Sequence, residues 1–317
     1  MLTFLTSAKA FRGRVGENQQ EAIRSWIAIH PKAEVILYGR AEGAREVCLD
    51  LNIRYVPDIK CAPSGVPYFN EIVSDASRRA QHDLQVYINS DIILASSILE
   101  SASKVNFQRY LIVGQRIELR EGAKIDHFSK ELPDQLYDLA LRGKAYLKNV
   151  SAIDYFVFSR GIWANLKPLI IGRGAYDNAL IAYCLRSRIP IIDATFEILA
   201  LHHSHNYDHV KNGMQEIYHG EDAEKNRKLH GITYNVPTIA DADWILRNGK
   251  MVYSRCRGDL LRKFENNLRF TWKLGPCWIL CRILWRLMAA VNICRTNNFG
   301  LKKVITALRI SKLRVRG

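Results

Sequence analysis

The segment Leu84-Gln85-Val86-Tyr87-Ile88-Asn89-Ser90-Asp91 decides how this chain is read: an unbroken apolar run closes on two polar residues spaced two apart. Such a run suits a strand buried on both faces, as in a parallel sheet. Alternate strand residues share a side, so Asn89 and Asp91 project together past the carboxyl end of the strand. Open α/β sheets bind their ligands at that edge. A carboxylate there is suited to hold a divalent cation that neutralises a departing diphosphate. The plainer reading has Asp91 capping the helix that follows.

Working outward, similar runs at 2–6, 34–38 (EVILY), 53–56 and 110–113 (YLIV) predict further strands. Helical spacing of apolar residues predicts helices over 18–30, 43–51, 69–80 and 97–105; in the first, Ala22, Ile23, Trp26 and Ile27 share one side. This alternation predicts an α/β, Rossmann-like fold, a mostly parallel sheet with helices on both faces. Residues 118–149 break the rhythm with mixed charge and a helix expected over 133–147. Strands at 153–158, 190–194 and 198–202 and a helix over 176–186 then restore it, with one more helix expected over 222–229.

The chain has 317 residues, 48% hydrophobic and 24% charged, which excludes a collagen-like, disulfide-scaffold or largely disordered protein. Seven cysteines without a CxxC pair suggest neither a disulfide framework nor a zinc ribbon; a reducing, cytoplasmic setting fits. The net charge of +15 is localised: 245–317 carries 17 Lys/Arg against 2 Asp/Glu, whereas 1–244 balances 29 against 29. The expected organisation is a neutral catalytic body, 1–244, and a basic helical tail, 245–317. Residues 1–11 lack the basic start and cleavage site of a signal peptide. The most membrane-like window, 275–294, holds Arg282 and Arg286 near its centre, which argues against a spanning helix. Its two arginines lie at i, i+4 beside a broad apolar surface that includes Trp278, Ile283, Trp285 and Leu287. That pattern suits peripheral attachment to an anionic membrane surface, on its inner face; the plainer reading docks the helix on the body. Nucleic acid is not expected, because the basic residues are interleaved with bulky aliphatics.

Two further motifs fall near predicted strand ends. His202-His203-Ser204-His205, with Asp208 and His209 beyond, follows an apolar strand; alternation puts His203 and His205 on one side and His202 on the other. Histidine is a common metal ligand, although a polar loop with one buried histidine explains the cluster equally well. Gly172-Arg173-Gly174-Ala175-Tyr176-Asp177-Asn178 is a glycine turn entering a helix. Its glycines would admit a substrate close to the backbone, and Asp177 falls in the first helical turn, where it would also simply stabilise the N-terminus.

In this order the motifs resemble those of GT-A-fold glycosyltransferases. Asn89-Ser90-Asp91 resembles Asp-x-Asp, and Gly172–Asn178 is similar to the Gly-Trp-Gly-x-Glu-Asp segment of family-2 enzymes, with Asp177 in the place of the base. One of His202, His203 or His205 matches the metal-binding histidine. Asn89–Leu94, Asp154–Phe158 and Asp241-Ala242-Asp243-Trp244 also resemble a little-characterised group of glycosyltransferase-like proteins. The likeness covers about 2–208. The chain departs from the pattern at Asn89, at Tyr176 in place of Glu, and at Gly39-Arg40, where a nucleotide-contacting Asp often stands.

The resemblance implies transfer of a sugar from a nucleotide-sugar to a hydroxyl of a glycan or lipid-linked acceptor, in surface glycan or polysaccharide biosynthesis. It implies Mn²⁺ or Mg²⁺ held by Asp91 with His203 or His205. Donor contacts would come from Thr6, Asp58, Asn89, Asp91, Gly172 and Gly174. Asp177 would serve as base with inversion, and Asp154 as the reserve base or an acceptor ligand. The Pro63–Pro67 loop and 118–149 would shape the acceptor side. Two alternatives stand beside it. A sugar-phosphate nucleotidyltransferase would use the basic loop with Lys9, Arg12, Gly13, Arg14 and Gly16, and a non-catalytic adaptor would act through the tail.

Overall fold

Strand β1 (Thr3–Ser7) leads through α1 (Gly13–Ile27) to β2 (Glu34–Tyr38), α2 (Ala44–Asp50) and β3 (Arg54–Val56). There follow α3 (Phe69–Arg79), β4 (Leu84–Ile88), β5 (Ile92–Leu94), α4 (Ile98–Ser103), β6 (Leu111–Val113), β7 (Ile117–Leu119), α5 (Leu132–Leu141), β8 (Ala145–Leu147) and β9 (Tyr155–Ser159). The chain continues as α6 (Tyr176–Arg186), β10 (Ile191–Asp193), β11 (Ala200–His203), α7 (Gly213–His219), α8 (Glu221–His230), β12 (Trp244–Arg247) and β13 (Lys250–Tyr253). The computed structural model describes residues 1–94, 97–204, 213–232, 236–254, 283 and 287.

Nine strands form one sheet in the order β13-β12-β10-β6-β9-β4-β1-β2-β3. Most neighbours are parallel; β9 runs antiparallel to both β4 and β6, and β13 antiparallel to β12. The strands alternate between two cores, as a two-sided sheet requires. Phe4, Val35, Leu37, Val86 and Val157 pack with Ile23 and Trp26 of α1 and Cys48 of α2. Leu5, Ile36, Tyr87, Phe156 and Phe158 pack on the other face with Phe69 and Ile72 of α3 and Leu180 of α6. The fold is therefore the expected α/β arrangement, a mostly parallel sheet with helices on both faces.

A second sheet, β5-β11-β7-β8, lies in the first core. Helix α1 braces its edge: Trp26 Nε1 donates to the Ile92 carbonyl at 2.8 Å, and Ser25 Oγ accepts the Leu94 N–H at 3.1 Å. This sheet corrects the reading of 118–149. Helix α5 stops at Leu141, and Ala145–Leu147 turns back to pair with β7 as β8. Strand β12 runs across 244/245 and pairs with β10, and β13 extends the same sheet to Tyr253. Among the described residues no helix is long and apolar enough to cross a membrane.

Candidate active site

The antiparallel course of β9 brings its first residues to the carboxyl end of β4, where Ile88 pairs with Tyr155. One step further out the Asn89 N–H donates to the Asp154 carbonyl at 3.0 Å. The Asn89 side chain is used at both ends: Nδ2 donates to Asp154 Oδ1 at 2.8 Å, and Oδ1 accepts the Tyr176 hydroxyl at 3.1 Å. Three segments far apart in sequence thus meet in one hydrogen-bonded chain. Two of the three departures from the resembled pattern, Asn89 and Tyr176, are partners.

Among the described residues, Asp91 meets the side chains of Lys9 and His202. Lys9 Nζ lies 3.0 Å from Asp91 Oδ2, and His202 Nε2 faces the same oxygen at 3.8 Å. His202 Nδ1 is held at 2.9 Å by Glu118 Oε1. Arg116 closes the cluster, donating from Nε to Glu118 Oε2 at 2.9 Å and from Nη1 to Asp154 Oδ2. Burial opposes charge on His202, but the Asp91 and Glu118 carboxylates outweigh it and raise its pKa to about 9. Burial likewise pushes Glu118 upward, and His202 and Arg116 overcome it, bringing the carboxyl down to about 2. The Arg116 guanidinium is buried, yet Asp154 and Glu118 raise its pKa further.

Asp177 opens α6. Its carboxylate accepts the Asn178 N–H at 2.9 Å. Burial pushes its pKa up to about 7, with Asp154 adding to the rise and the Asn178 amide opposing it. The two glycines before it differ. Gly172 is exposed with φ +62° and open space beside it, so nothing at that point obstructs a ligand. Gly174 is buried under α7: an added Cβ would lie 2.8 Å from the Tyr218 carbonyl oxygen. The role of Gly174 is backbone packing, and it is closed to a donor.

The remaining expected residues are spread along the edge. Thr6 is fully buried and donates to the Ile88 carbonyl at 2.7 Å, which removes it from direct ligand contact. Asp58 pairs with Arg40 at the rim of a cleft of about 730 Å³. The cleft opens beyond β1, β2 and β3 and is lined by Ser7, Tyr38, Arg40, Asp58 and Lys60 among others. His203 turns to the other side of β11, 4.0 Å from Glu21 on α1, so His202 and not His203 reaches Asp91. His205 lies outside the described residues, as do Asp208, His209 and most of the tail beyond Ser254. After β1, Arg12 pairs with Glu42, and Arg14, in the first turn of α1, with Glu121. That leaves Lys9 as the loop cation directed to Asp91. Sequence reading missed Glu118, in the middle of the three-residue strand β7, and Arg116, just before it, and named Lys9 only as one member of a basic loop.

The described residues do not make a good seat for Mn²⁺ or Mg²⁺. Hard divalent ions want several oxygen ligands. Here Asn89 is spent on Asp154 and Tyr176, Glu118 and Asp154 are held by Arg116, and Asp91 already meets an ammonium. Among the described residues no group of three His, Cys, Asp or Glu side chains is spaced to hold an ion.

No family model matches the sequence, and no curated protein matches it. Solved structures are similar at low identity. One is glucosyl-3-phosphoglycerate synthase from Mycobacterium tuberculosis in complex with Mn²⁺, UDP and phosphoglyceric acid: 13% identity over 74% of this chain and 80% of that one, TM-score 0.42. Another is S. aureus TarS 1-349 in complex with UDP-GlcNAc: 11% identity over 85% of this chain and 73% of that one, TM-score 0.46. A further crystal structure of M. tuberculosis glucosyl-3-phosphoglycerate synthase gives 12% identity over 74% of this chain and 82% of that one, TM-score 0.42. These are likenesses of general fold, and the chemistry of this chain rests on its own residues.

Proposed function

We propose that this protein transfers a sugar from a nucleotide-sugar to the hydroxyl of an acceptor. The observation that carries the reading is the chain Tyr176–Asn89–Asp154, which joins the glycine-turn motif to the strand-end motif beside Asp91. Asp177 is the base: its carboxylate, poised near neutrality by burial, accepts the acceptor proton as that oxygen attacks the anomeric carbon. The bond from that carbon to the diphosphate breaks on the opposite side, giving inversion, and the nucleoside diphosphate leaves with the electron pair. Asn89 and Asp91 lie on the donor side. The cleft beyond β1–β3, with Arg40 and Asp58 at its rim, is the place for the nucleoside.

The acceptor in this reading is a glycan or lipid-linked hydroxyl, and the pathway surface glycan or polysaccharide assembly. The basic tail supports a site of action at an anionic membrane surface. Ile283 and Leu287, one helical turn apart, are both helical and more than half exposed. Thermal shifts with UDP-, GDP-, CMP- and dTDP-sugars test the donor reading: one of them should raise the melting temperature through binding to the folded state. Failure of every donor would remove the reading.

A further inference from the structure

We propose that Lys9 takes the place of a divalent ion at the donor diphosphate, so that this site binds and cleaves its donor without a metal. The inference rests on the nucleotide-sugar reading above and deepens it.

Lys9 is built into position. Gln19, fully buried on α1, accepts the Lys9 N–H at 2.8 Å and donates to the Lys9 carbonyl at 3.1 Å. The same Gln19 oxygen accepts the Ser90 hydroxyl at 2.7 Å. One buried amide therefore ties the loop after β1 to the turn after β4, and this sets the Lys9 ammonium 3.0 Å from Asp91. A surface lysine meeting an acid by chance has no such fixture.

Among the described residues the cluster also leaves few other groups for the task. The Arg116 and His202 side chains are 11% and 9% exposed and engage Glu118, Asp154 and Asp91, whereas the Lys9 side chain is 32% exposed. Lys9 is thus the most accessible cation of the cluster, and it follows Ser7 and Ala8, which line the cleft. An ammonium carries three donors, so it can serve a carboxylate and a phosphate together. Asp91 then acts as the counter-ion that holds Lys9 in place, and Asn89, which replaces an acid, avoids a surplus of negative charge. In the transfer step the pair from the broken anomeric C–O bond passes to the phosphate oxygen. Lys9 donates a hydrogen bond to that oxygen and keeps its proton, while the acceptor proton goes to Asp177.

Calorimetric titration with UDP, GDP, CDP, ADP and dTDP, each in EDTA and in Mn²⁺, tests this on the full chain. At least one nucleotide should bind in EDTA with an affinity close to that in Mn²⁺. Lys9→Ala should weaken that binding by about 10- to 100-fold, the weight of hydrogen bonds to a charged group, while the protein stays folded. Lys9→Arg should keep most of it. Binding that requires Mn²⁺, or a Lys9→Ala variant that binds like the wild type, would overturn the proposal while leaving the donor reading standing. No binding in either condition would overturn both.

Discussion

Glu118 on β7 and His202 on β11 are register partners of a parallel strand pair, and the Glu118 carboxylate holds His202 Nδ1 at 2.9 Å. The contact fixes the ring so that Nε2 faces Asp91. It also makes the small second sheet part of the site. Through Arg116 the same carboxylate reaches Asp154 at the start of β9.

Arg116 is the keystone of that cluster, because it is shared by two acids, buried Glu118 and partly buried Asp154. Arg116→Met removes the guanidinium and leaves Glu118 and Asp154 facing an apolar chain. Breaking a buried ion pair from one side typically costs about 3–5 kcal/mol. Urea unfolding should show a loss of that size; a loss below about 1 kcal/mol would mean that the cluster is solvated and contributes little.

Asp177 gives a pH dependence of known sign. Only its carboxylate can act as base, so turnover should rise with pH through an apparent pKa near 7. Asp177→Asn should lower turnover by roughly 10²–10⁴ and lose that limb. Stability should move the opposite way. Burial raises the folded pKa, so the favourable contribution is full below about pH 4 and is lost as pH rises through about 7. Asp177→Asn should therefore match the wild type near pH 4 and exceed its melting temperature at pH 8. Equal melting temperatures at both pH values would contradict burial as the cause.

The tail is expected to bring the protein to anionic membranes. Full-length protein should sediment with phosphatidylserine-containing liposomes, less so with neutral ones or at high salt, and truncation before Gly275 should release it. Equal sedimentation with neutral vesicles, or none with either, would favour the helix docked on the body.

The sheet was largely legible in the sequence because its strands are buried on both faces and read as continuous apolar runs; 34–38 and 84–88 match β2 and β4 residue for residue. The reversed direction of β9 was not legible, since an apolar run has no polarity. The second sheet was also missed, because β5, β7 and β8 have three residues each, too few for a period to register. At the site, Asn89, Asp91, Asp154 and Asp177 stood out as polar residues ending or opening apolar elements. Which histidine faces Asp91 depends on how β11 pairs with β7, a long-range relation that alternation along one strand does not contain. Lys9 is positioned by Gln19, a tertiary contact with no local signature.

The most direct test of the central claim is release of nucleoside diphosphate from UDP-, GDP- and dTDP-sugars by the full-length protein, compared with Asp177→Asn. Slow transfer to water makes the assay possible before the acceptor is identified. The account predicts release from at least one donor, falling by at least about a hundredfold in the variant. No release from any donor, or equal release by the two proteins, would contradict it.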